Sequence, residues 1–542
     1  RGSDWQKIKV RWIDAKKDYD EALENCRFAS IAWKPDHSGF YYDRYPAEGS
    51  VPEEDRNAFN KVYWHTLGTP QSSDVLVFED NEHKDWGFGP FVTDDGKYLV
   101  LYVSHGTDPR NGIYYRELKS DGEFVKLVSV EEAKYTPIDN IGTVAYVLTD
   151  LDAPKGRIIT IDLAKPDRAN WREVIPQGED PISYASMVNN QLVVAYLKDA
   201  HHVLKIYEPN GKFDREIELP TIGSVFGMSG KRKDTELFFS FTSYIYPTTQ
   251  FRYDFKKKEV SIFRKPEIQF DPAGYETKQI FYKSKDGTKV PMFITHKKGI
   301  ALDGSNPTLL YGYGGFNQSM TPYFSVLNLF WLENGGVYAV ANIRGGDEYG
   351  EEWHQGGILE RKQNVFDDFI AAAEWLIANK YTSTPKLAIE GGSNGGLLTA
   401  ACMLQRPDLF GAVISEVPVT DMLRYHKFTI GRYWASDYGT ADDPAQFKFL
   451  YAYSPVHNVK KGVNYPPTLI TTADTDDRVV PMHGKKFAAA LQAADAGDNP
   501  ILIRIETKAG HGGGKPTSKR IEEGADVYAF LFRVFGMEPA VK

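Results

Sequence analysis

The hydrophobic period of this chain changes once, near residue 270, and the change constrains the fold on both sides of it. Up to about residue 265, short stretches of alternating apolar and polar residues follow one another with turn residues between them and almost no helical pattern. Beyond it, short apolar runs alternate with amphipathic helical patterns. The first part is therefore expected to be all-β and the second α/β with a mostly parallel, doubly wound sheet. With 542 residues the chain exceeds what one hydrophobic core supports, so two large domains are expected.

In the first part a turn followed by a strand recurs at 36–42, 94–102, 140–147, 189–196 and 234–241. The markers Gly39, Gly96, Gly142, Asn190 and Asp234 are 57, 46, 48 and 44 residues apart. That loose period suits a four-stranded propeller blade. A second unit lies between the markers, at 62–67, 113–118, 158–163, 203–207 and 251–255, and 5–12 alternates in the same way ahead of them. About five and a half blades are expected, the first stretch reading as the closing half of a blade whose opening half is missing.

After residue 270 a hairpin, 279–282 and 290–295 around Asp286-Gly287, leads into predicted strands at 308–311, 337–343, 387–390, 412–415, 468–472 and 501–505. Helical patterns at 323–333, 365–378, 396–404, 482–493 and 521–534 separate most of them.

Gly391-Gly392-Ser393-Asn394-Gly395 is a G-x-S-x-G sequence set between the predicted strand 387–390 and a helix beginning near Gly396. Small residues suit a chain that turns sharply from strand to helix and leaves the serine exposed in a strained conformation. A serine hydroxyl is a weak nucleophile unless a base takes its proton. Asp476 follows strand 468–472, 83 residues after Ser393, and His511 follows strand 501–505, a further 35 residues on. Both lie beyond the carboxyl ends of their strands, on the sheet edge where Ser393 emerges, and the order Ser, Asp, His is that of α/β-hydrolases. His511 would accept the Ser393 proton and return it to the leaving amine, while Asp476 would orient the ring and stabilise the imidazolium. Asp474 and Asp477 compete for the acid's place, and spacing alone does not decide among the three. The expected domains are then a β-propeller over 1–268 and an α/β-hydrolase over 269–542.

An oxyanion hole in such a fold draws one donor from the amide after the nucleophile, here Asn394, and another from the loop after strand 308–311. That loop is Gly312-Tyr313-Gly314-Gly315-Phe316. Its glycines let backbone approach a substrate, and the Tyr313 hydroxyl can donate as an amide does. A packed aromatic is an equal reading of Tyr313.

A net charge of −9 provides no basic surface for phosphates, so nucleic acid is not an expected partner. No apolar stretch approaches the length of a bilayer span, and no membrane partner is expected. Two cysteines far apart, Cys26 and Cys402, support neither a disulfide framework nor a zinc site. They fit a reducing compartment, so a cytoplasmic location is expected. Periplasm or secretion stays open because the chain opens on Arg1 with no leader in view. His201-His202, with no carboxylate or cysteine pattern around it, reads as a solvated turn, and no metal or organic cofactor is expected.

From about residue 275 to 537 the chain resembles prolyl oligopeptidases, in Tyr311-Gly-Tyr-Gly-Gly-Phe316, Ala341-Asn-Ile-Arg-Gly-Gly346, Gly391-Gly-Ser-Asn-Gly-Gly396, Asp476-Asp-Arg-Val-Val480 and Lys508-Ala-Gly-His511. The propeller half fits the same architecture, so the resemblance covers essentially the whole chain. It implies that Tyr313 is the side-chain oxyanion donor and Asp476 the acid. It also implies that Trp434 stacks on a substrate proline ring in a pocket lined by Phe316, Val419, Tyr438 and Val479, with Ile430 a further substrate contact. Arg478 is implied to bind a substrate carbonyl. The implied activity is hydrolysis of short proline-containing peptides on the carboxyl side of proline through an acyl-enzyme, by a monomer whose propeller caps the site. Members of the family begin with a segment of the catalytic domain followed by seven blades, so a truncated chain lacking its first blade or more is expected here. Rival readings are a related oligopeptidase selecting basic or acylated residues, an esterase with the same triad, or an inactive propeller–hydrolase fragment.

Overall fold

A computed structural model describes residues 2–540. They form two compact units, one of residues 3–177 with 429–436, the other of residue 2 with 178–428 and 437–540.

The first unit is built from antiparallel sheets made of successive hairpins. Trp5–Trp12 pairs with Lys17–Arg27 in a two-stranded sheet, and three four-stranded sheets follow, the first running from Ile31–Trp33 to Val75–Phe78. The next runs from Trp86–Val92 to Val125–Val128, and the last from Tyr135–Ile141 to Arg172–Ile175. Leu99, Leu101 and Val103 of the Tyr98–His105 strand share a buried cluster with Val62 and Phe88, while the outermost strands are wetter, with Val75 and Val125 exposed. The turn-plus-strand repeat of the sequence corresponds to the second strand of each four-stranded sheet, and the companion repeat to the third. These inner strands carry the strongest apolar pattern because neighbours cover both their edges and faces.

The second unit opens with two more four-stranded sheets, Ile182–Val188 to Phe213–Ile217 and Ser224–Ser229 to Glu259–Arg264. Asn189 and Asn190 both take positive φ, 55° and 53°, as a two-residue hairpin turn requires. Asp199 and Ala200 do the same at the next corner, with φ of 46° and 65°. That corner corrects the reading of His201-His202: both belong to the strand His201–Tyr207. His202 is buried, its Nδ1 accepting the Val225 N–H at 3.1 Å, and burial lowers its pKa to about 4.

An eight-stranded mixed sheet dominates this unit. Its spatial order is Tyr275–Lys283, Lys289–Lys297, Val337–Ala341, Thr308–Tyr311, Leu387–Gly392, Ala412–Glu416, Thr468–Ala473 and Ile501–Glu506. The first two strands run antiparallel, joined at Asp286-Gly287, and from Val337–Ala341 onward the sheet is parallel. Val337–Ala341 and Thr468–Ala473 are buried throughout, as strands covered on both faces must be. Helices Val326–Glu333 and Thr517–Phe535 share one cluster with Leu309, Val340, Ile414 and Leu469. Helix Gln363–Ala378 is pinned to the loop after Val337–Ala341 by a buried pair, Arg344 meeting Asp368 at 2.6 Å. Between Ala412–Glu416 and Thr468–Ala473 lies an insertion of short helices, the longest Pro444–Tyr453, capped by Asp443 accepting from the amides of Ala445 and Gln446. Among the described residues no helix is long and apolar enough to cross a membrane.

Candidate active site

Ser393 stands between the strand Leu387–Gly392 and the helix Asn394–Gln405, with φ 58° and ψ −113°. That backbone is costly for a residue with a Cβ and persists because its surroundings fix it. The Ser393 N–H donates to Glu416 O at 2.8 Å, and its carbonyl accepts from Gly396 and Leu397 at 3.0 and 3.1 Å as the helix begins. The glycines on either side are sterically required. A Cβ on Gly391 would lie 2.3 Å from Gly395 O, and one on Gly395 would lie 2.7 Å from Gly312 O.

Of the three aspartates in the loop after Thr468–Ala473, Asp476 is buried and lies 2.7 Å by Oδ2 from His511 Nδ1. Its Oδ1 accepts the Arg478 and Val479 amides at 3.0 and 2.9 Å, which fixes the carboxylate plane. Asp474 is exposed and accepts from the Ala509 amide at 3.4 Å, and Asp477 is half-buried. With Nδ1–H given to Asp476, the Nε2 of His511 is the lone-pair nitrogen.

Tyr313 lies beside Ser393, whose side chain opposes the upward push on the Tyr313 phenol. Burial, then the charge of Asp437, push the Tyr313 phenol up to about 12, so it keeps its proton as a donor. Asn394 is the first residue of its helix, where amide N–H groups lack intrahelical partners. Its buried side chain donates through Nδ2 to Tyr313 O at 2.7 Å and accepts at Oδ1 from the Tyr438 hydroxyl at 2.8 Å and from Lys362 Nζ at 3.1 Å. The rings of Phe316 and Tyr438 meet edge to face, centroids 5.2 Å apart, and the Phe316 N–H donates to Asp437 Oδ2 at 2.7 Å. His354 holds the other oxygen of Asp437 at 3.1 Å and meets Glu351 at 3.0 Å. Burial favours the neutral imidazole of His354, but hydrogen bonds and charge from Asp437 and Glu351 prevail and raise its pKa to about 9.

The structure thus brings Tyr313, Ser393 and Asn394 together, joins Asp476 to His511, and pairs Phe316 with Tyr438. Val419 and Val479 are buried and Arg478 is half-buried. Ile430 and Trp434 belong to the other unit, where they line a cavity of about 330 Å³ with Arg27, Asp43, Asn57 and Asn60. Their short segment is anchored inside that unit by Thr107, whose N–H and hydroxyl donate to Tyr433 O at 3.0 and 2.8 Å, and by Arg432 on Asp85 at 2.8 Å. Sequence reasoning missed Lys362, Asp437 and His354. No spacing marks them, because their interest lies in being buried charged groups next to the glycine-rich loop.

Two family descriptions match the chain: "Prolyl oligopeptidase, N-terminal beta-propeller domain" over residues 1–266 and "Prolyl oligopeptidase family" over 322–538. The prolyl endopeptidase of Elizabethkingia meningoseptica is 45% identical over 99% of this chain and 76% of its own length. That of Dictyostelium discoideum is 38% identical over 99% of this chain and 78% of its own. A solved structure from a study of two prolyl endopeptidases and their inter-domain dynamics superposes with a TM-score of 0.95, at 42% identity, over 99% of this chain and 79% of that one. The expectation of a propeller lacking its first blade is not borne out, since the propeller description matches from residue 1 through 266. The two-stranded sheet read as half a blade lies within that span, ahead of five four-stranded sheets.

Proposed function

The chain belongs to the prolyl oligopeptidase family, and from that membership we infer that it is a serine endopeptidase cleaving peptides on the carboxyl side of proline. The observation that carries the chemistry is Ser393 held at a strained strand-to-helix elbow, in a unit that also joins His511 Nδ1 to Asp476 at 2.7 Å. Ser393 attacks the scissile carbonyl while His511 Nε2 takes its proton. Asp476, tied by two backbone amides, holds the ring in that tautomer and stabilises the imidazolium. The tetrahedral oxyanion is met by the Asn394 amide and the Tyr313 hydroxyl. His511 then protonates the leaving amine, and water, activated the same way, releases the acyl-enzyme.

On the family resemblance, Trp434 and Ile430 are proposed as specificity residues for proline, Phe316, Val419, Tyr438 and Val479 as apolar substrate contacts, and Arg478 as the partner of a substrate carbonyl. A working division into a propeller of 1–268 and a hydrolase of 269–542 follows the change of period in the sequence. Short proline-containing peptides are the proposed substrates, and a monomer the proposed form. A peptidase for basic residues, an esterase and an inactive fragment are not favoured, since relatives aligned over nearly the whole chain are prolyl endopeptidases.

Chromogenic peptides carrying proline or arginine before the scissile bond test this reading beside Ser393→Ala. The proline peptide should be cut and the arginine peptide spared. Ser393→Ala should lose at least about four orders of magnitude in kcat, together with labelling by an organophosphonate. Labelling that survives the substitution would overturn the assignment of Ser393, and preference for arginine would overturn the proline reading.

A further inference from the structure

Lysine is among the residues least often buried, because its ammonium is strongly hydrated and its long stem carries the charge to water. Lys362 is only 1% exposed. It sits where a short turn, Leu359–Arg361, passes into the helix Gln363–Ala378, the helix pinned by Arg344 and Asp368. Its stem is therefore fixed at the base. Its Nζ donates to Gly314 O at 2.7 Å and to Asn394 Oδ1 at 3.1 Å, and lies 5.4 Å from the centre of the Tyr438 ring.

These partners have one thing in common. Gly314 follows Tyr313 in the glycine-rich loop, and Asn394 carries the amide after the nucleophile. The Asn394 side chain in turn donates to Tyr313 O at 2.7 Å, so Lys362, Asn394 and the loop form a closed set of hydrogen bonds around both oxyanion donors. Gly314 has φ 71°, and a Cβ there would meet the Val365 side chain at 2.4 Å, so the loop is seated directly on the helix that carries Lys362. Among the described residues no carboxylate accepts a hydrogen bond from Lys362, and both its acceptors are neutral carbonyl oxygens. Its positive charge is aimed at the frame of the site where negative charge develops during acyl transfer.

We propose that Lys362 is a positioning residue for the oxyanion hole, fixing through Gly314 O and Asn394 Oδ1 the loop that presents Tyr313 and the residue whose amide receives the oxyanion. The proposal rests on the reading of Tyr313 and Asn394 as the two donors. It separates Lys362 from a lysine that merely fills the core, because loss of an aligned donor pair weakens the transition state and leaves ground-state binding intact.

The ammonium also gives the site a titrating group. Burial lowers the Lys362 pKa to about 8, against the pull of Asp437. The other ionisable groups gathered around this network are Tyr438 and Tyr313, which keep their protons, and, through Asp437, His354 and Glu351. The charge is present below that value and lost above it, so the acylation rate should fall as pH rises through about 8.

The test uses the full chain with Lys362→Met and Lys362→Gln. Steady-state kinetics on a proline chromogenic peptide are measured with the rate of phosphonate labelling at Ser393 and the thermal midpoint. Lys362→Met should lower kcat and the labelling rate together by about ten- to a hundredfold, with KM changed by less than about twofold. Lys362→Gln, which keeps two N–H donors but no charge, should lose less and should lack the alkaline fall. Wild-type kcat and labelling in Lys362→Met would overturn the proposal, and so would a rise in KM matching the loss of kcat. If Lys362→Met does not fold, Lys362→Gln decides on the same criteria. If neither folds, a wild-type labelling rate that stays flat from about pH 7 to about 9.5 overturns it. Failure of the wild-type chain to cut the proline peptide or to label at Ser393 would instead count against the peptidase reading.

Discussion

Trp434 exposes 8% of its surface and lines a cavity within its own unit, a setting that suits a substrate contact and a core residue equally well. Kinetics separate the two. A proline side chain has no charge and no hydrogen-bond donor, so its selection must come from fitting a compact ring against flat aromatic surface. Such a contact is worth about 1 kcal/mol beyond area burial, and deletion of the indole adds the cost of the cavity it leaves. Trp434→Ala should therefore lower kcat/KM for proline peptides by about two orders of magnitude and for an alanine peptide by much less. Phosphonate labelling of Ser393 should persist, and equal losses on both peptides would make Trp434 a structural residue. At this scale the nucleophile was legible in the sequence because its environment is local: the five residues 391–395 carry the steric demand themselves. The choice of Asp476 over Asp474 and Asp477 was not legible from spacing, and only the family resemblance singled it out. It depends on which carboxylate is buried against a histidine 35 residues further on.

Two loops that leave the mixed sheet, one after Thr308–Tyr311 and one after Val337–Ala341, are tied together by Glu348, whose Oε1 accepts the Met320 amide at 2.8 Å. Burial raises the Glu348 pKa to about 7, with backbone hydrogen bonds opposing. A carboxyl raised in the folded state contributes stability that is complete below its ordinary pKa of about 4.3 and is lost as pH rises through the folded value. Between about pH 5 and about 8.5 the wild-type chain should accordingly lose roughly 2 to 3 kcal/mol that Glu348→Gln, which keeps the acceptor and cannot ionise, does not lose. Urea midpoints of both proteins at the two pH values measure this, and a difference independent of pH would show that Glu348 does not titrate there. Element positions in this half were readable because apolar runs and helical patterns alternate: the strand Thr308–Tyr311 and the helix Met482–Ala494 fall within a residue of expectation. The insertion between Ala412–Glu416 and Thr468–Ala473 was not. Its helices are too short for a period to develop, although Asp443-Pro444 is a start signal that could have been taken for one.

The two compact units do not follow the change of hydrophobic period. The sheets Ile182–Val188 to Glu259–Arg264 group with the mixed sheet because side chains tie them to it: Ser224 Oγ donates to Pro322 O at 2.6 Å and the Tyr349 hydroxyl to Asp199 at 2.8 Å. Tyr244 enters the same cluster as Phe293 and Tyr338. Each unit has its own apolar clusters, so calorimetric unfolding should show a total enthalpy larger than the van't Hoff value of its main transition. Agreement of the two enthalpies would mean that the units unfold as one. The sequence alone determined what is encoded within a few residues: the all-β and α/β periods, the elbow at Ser393, and the order of the three triad residues along the chain. Tertiary structure alone decided that residues 429–436 join a unit otherwise ended at residue 177, and that Lys362 lies beneath the glycine-rich loop. Local patterns record which face of an element is apolar. They do not record which distant element will cover it, and burial of a charge or selection among neighbouring carboxylates depends on that cover.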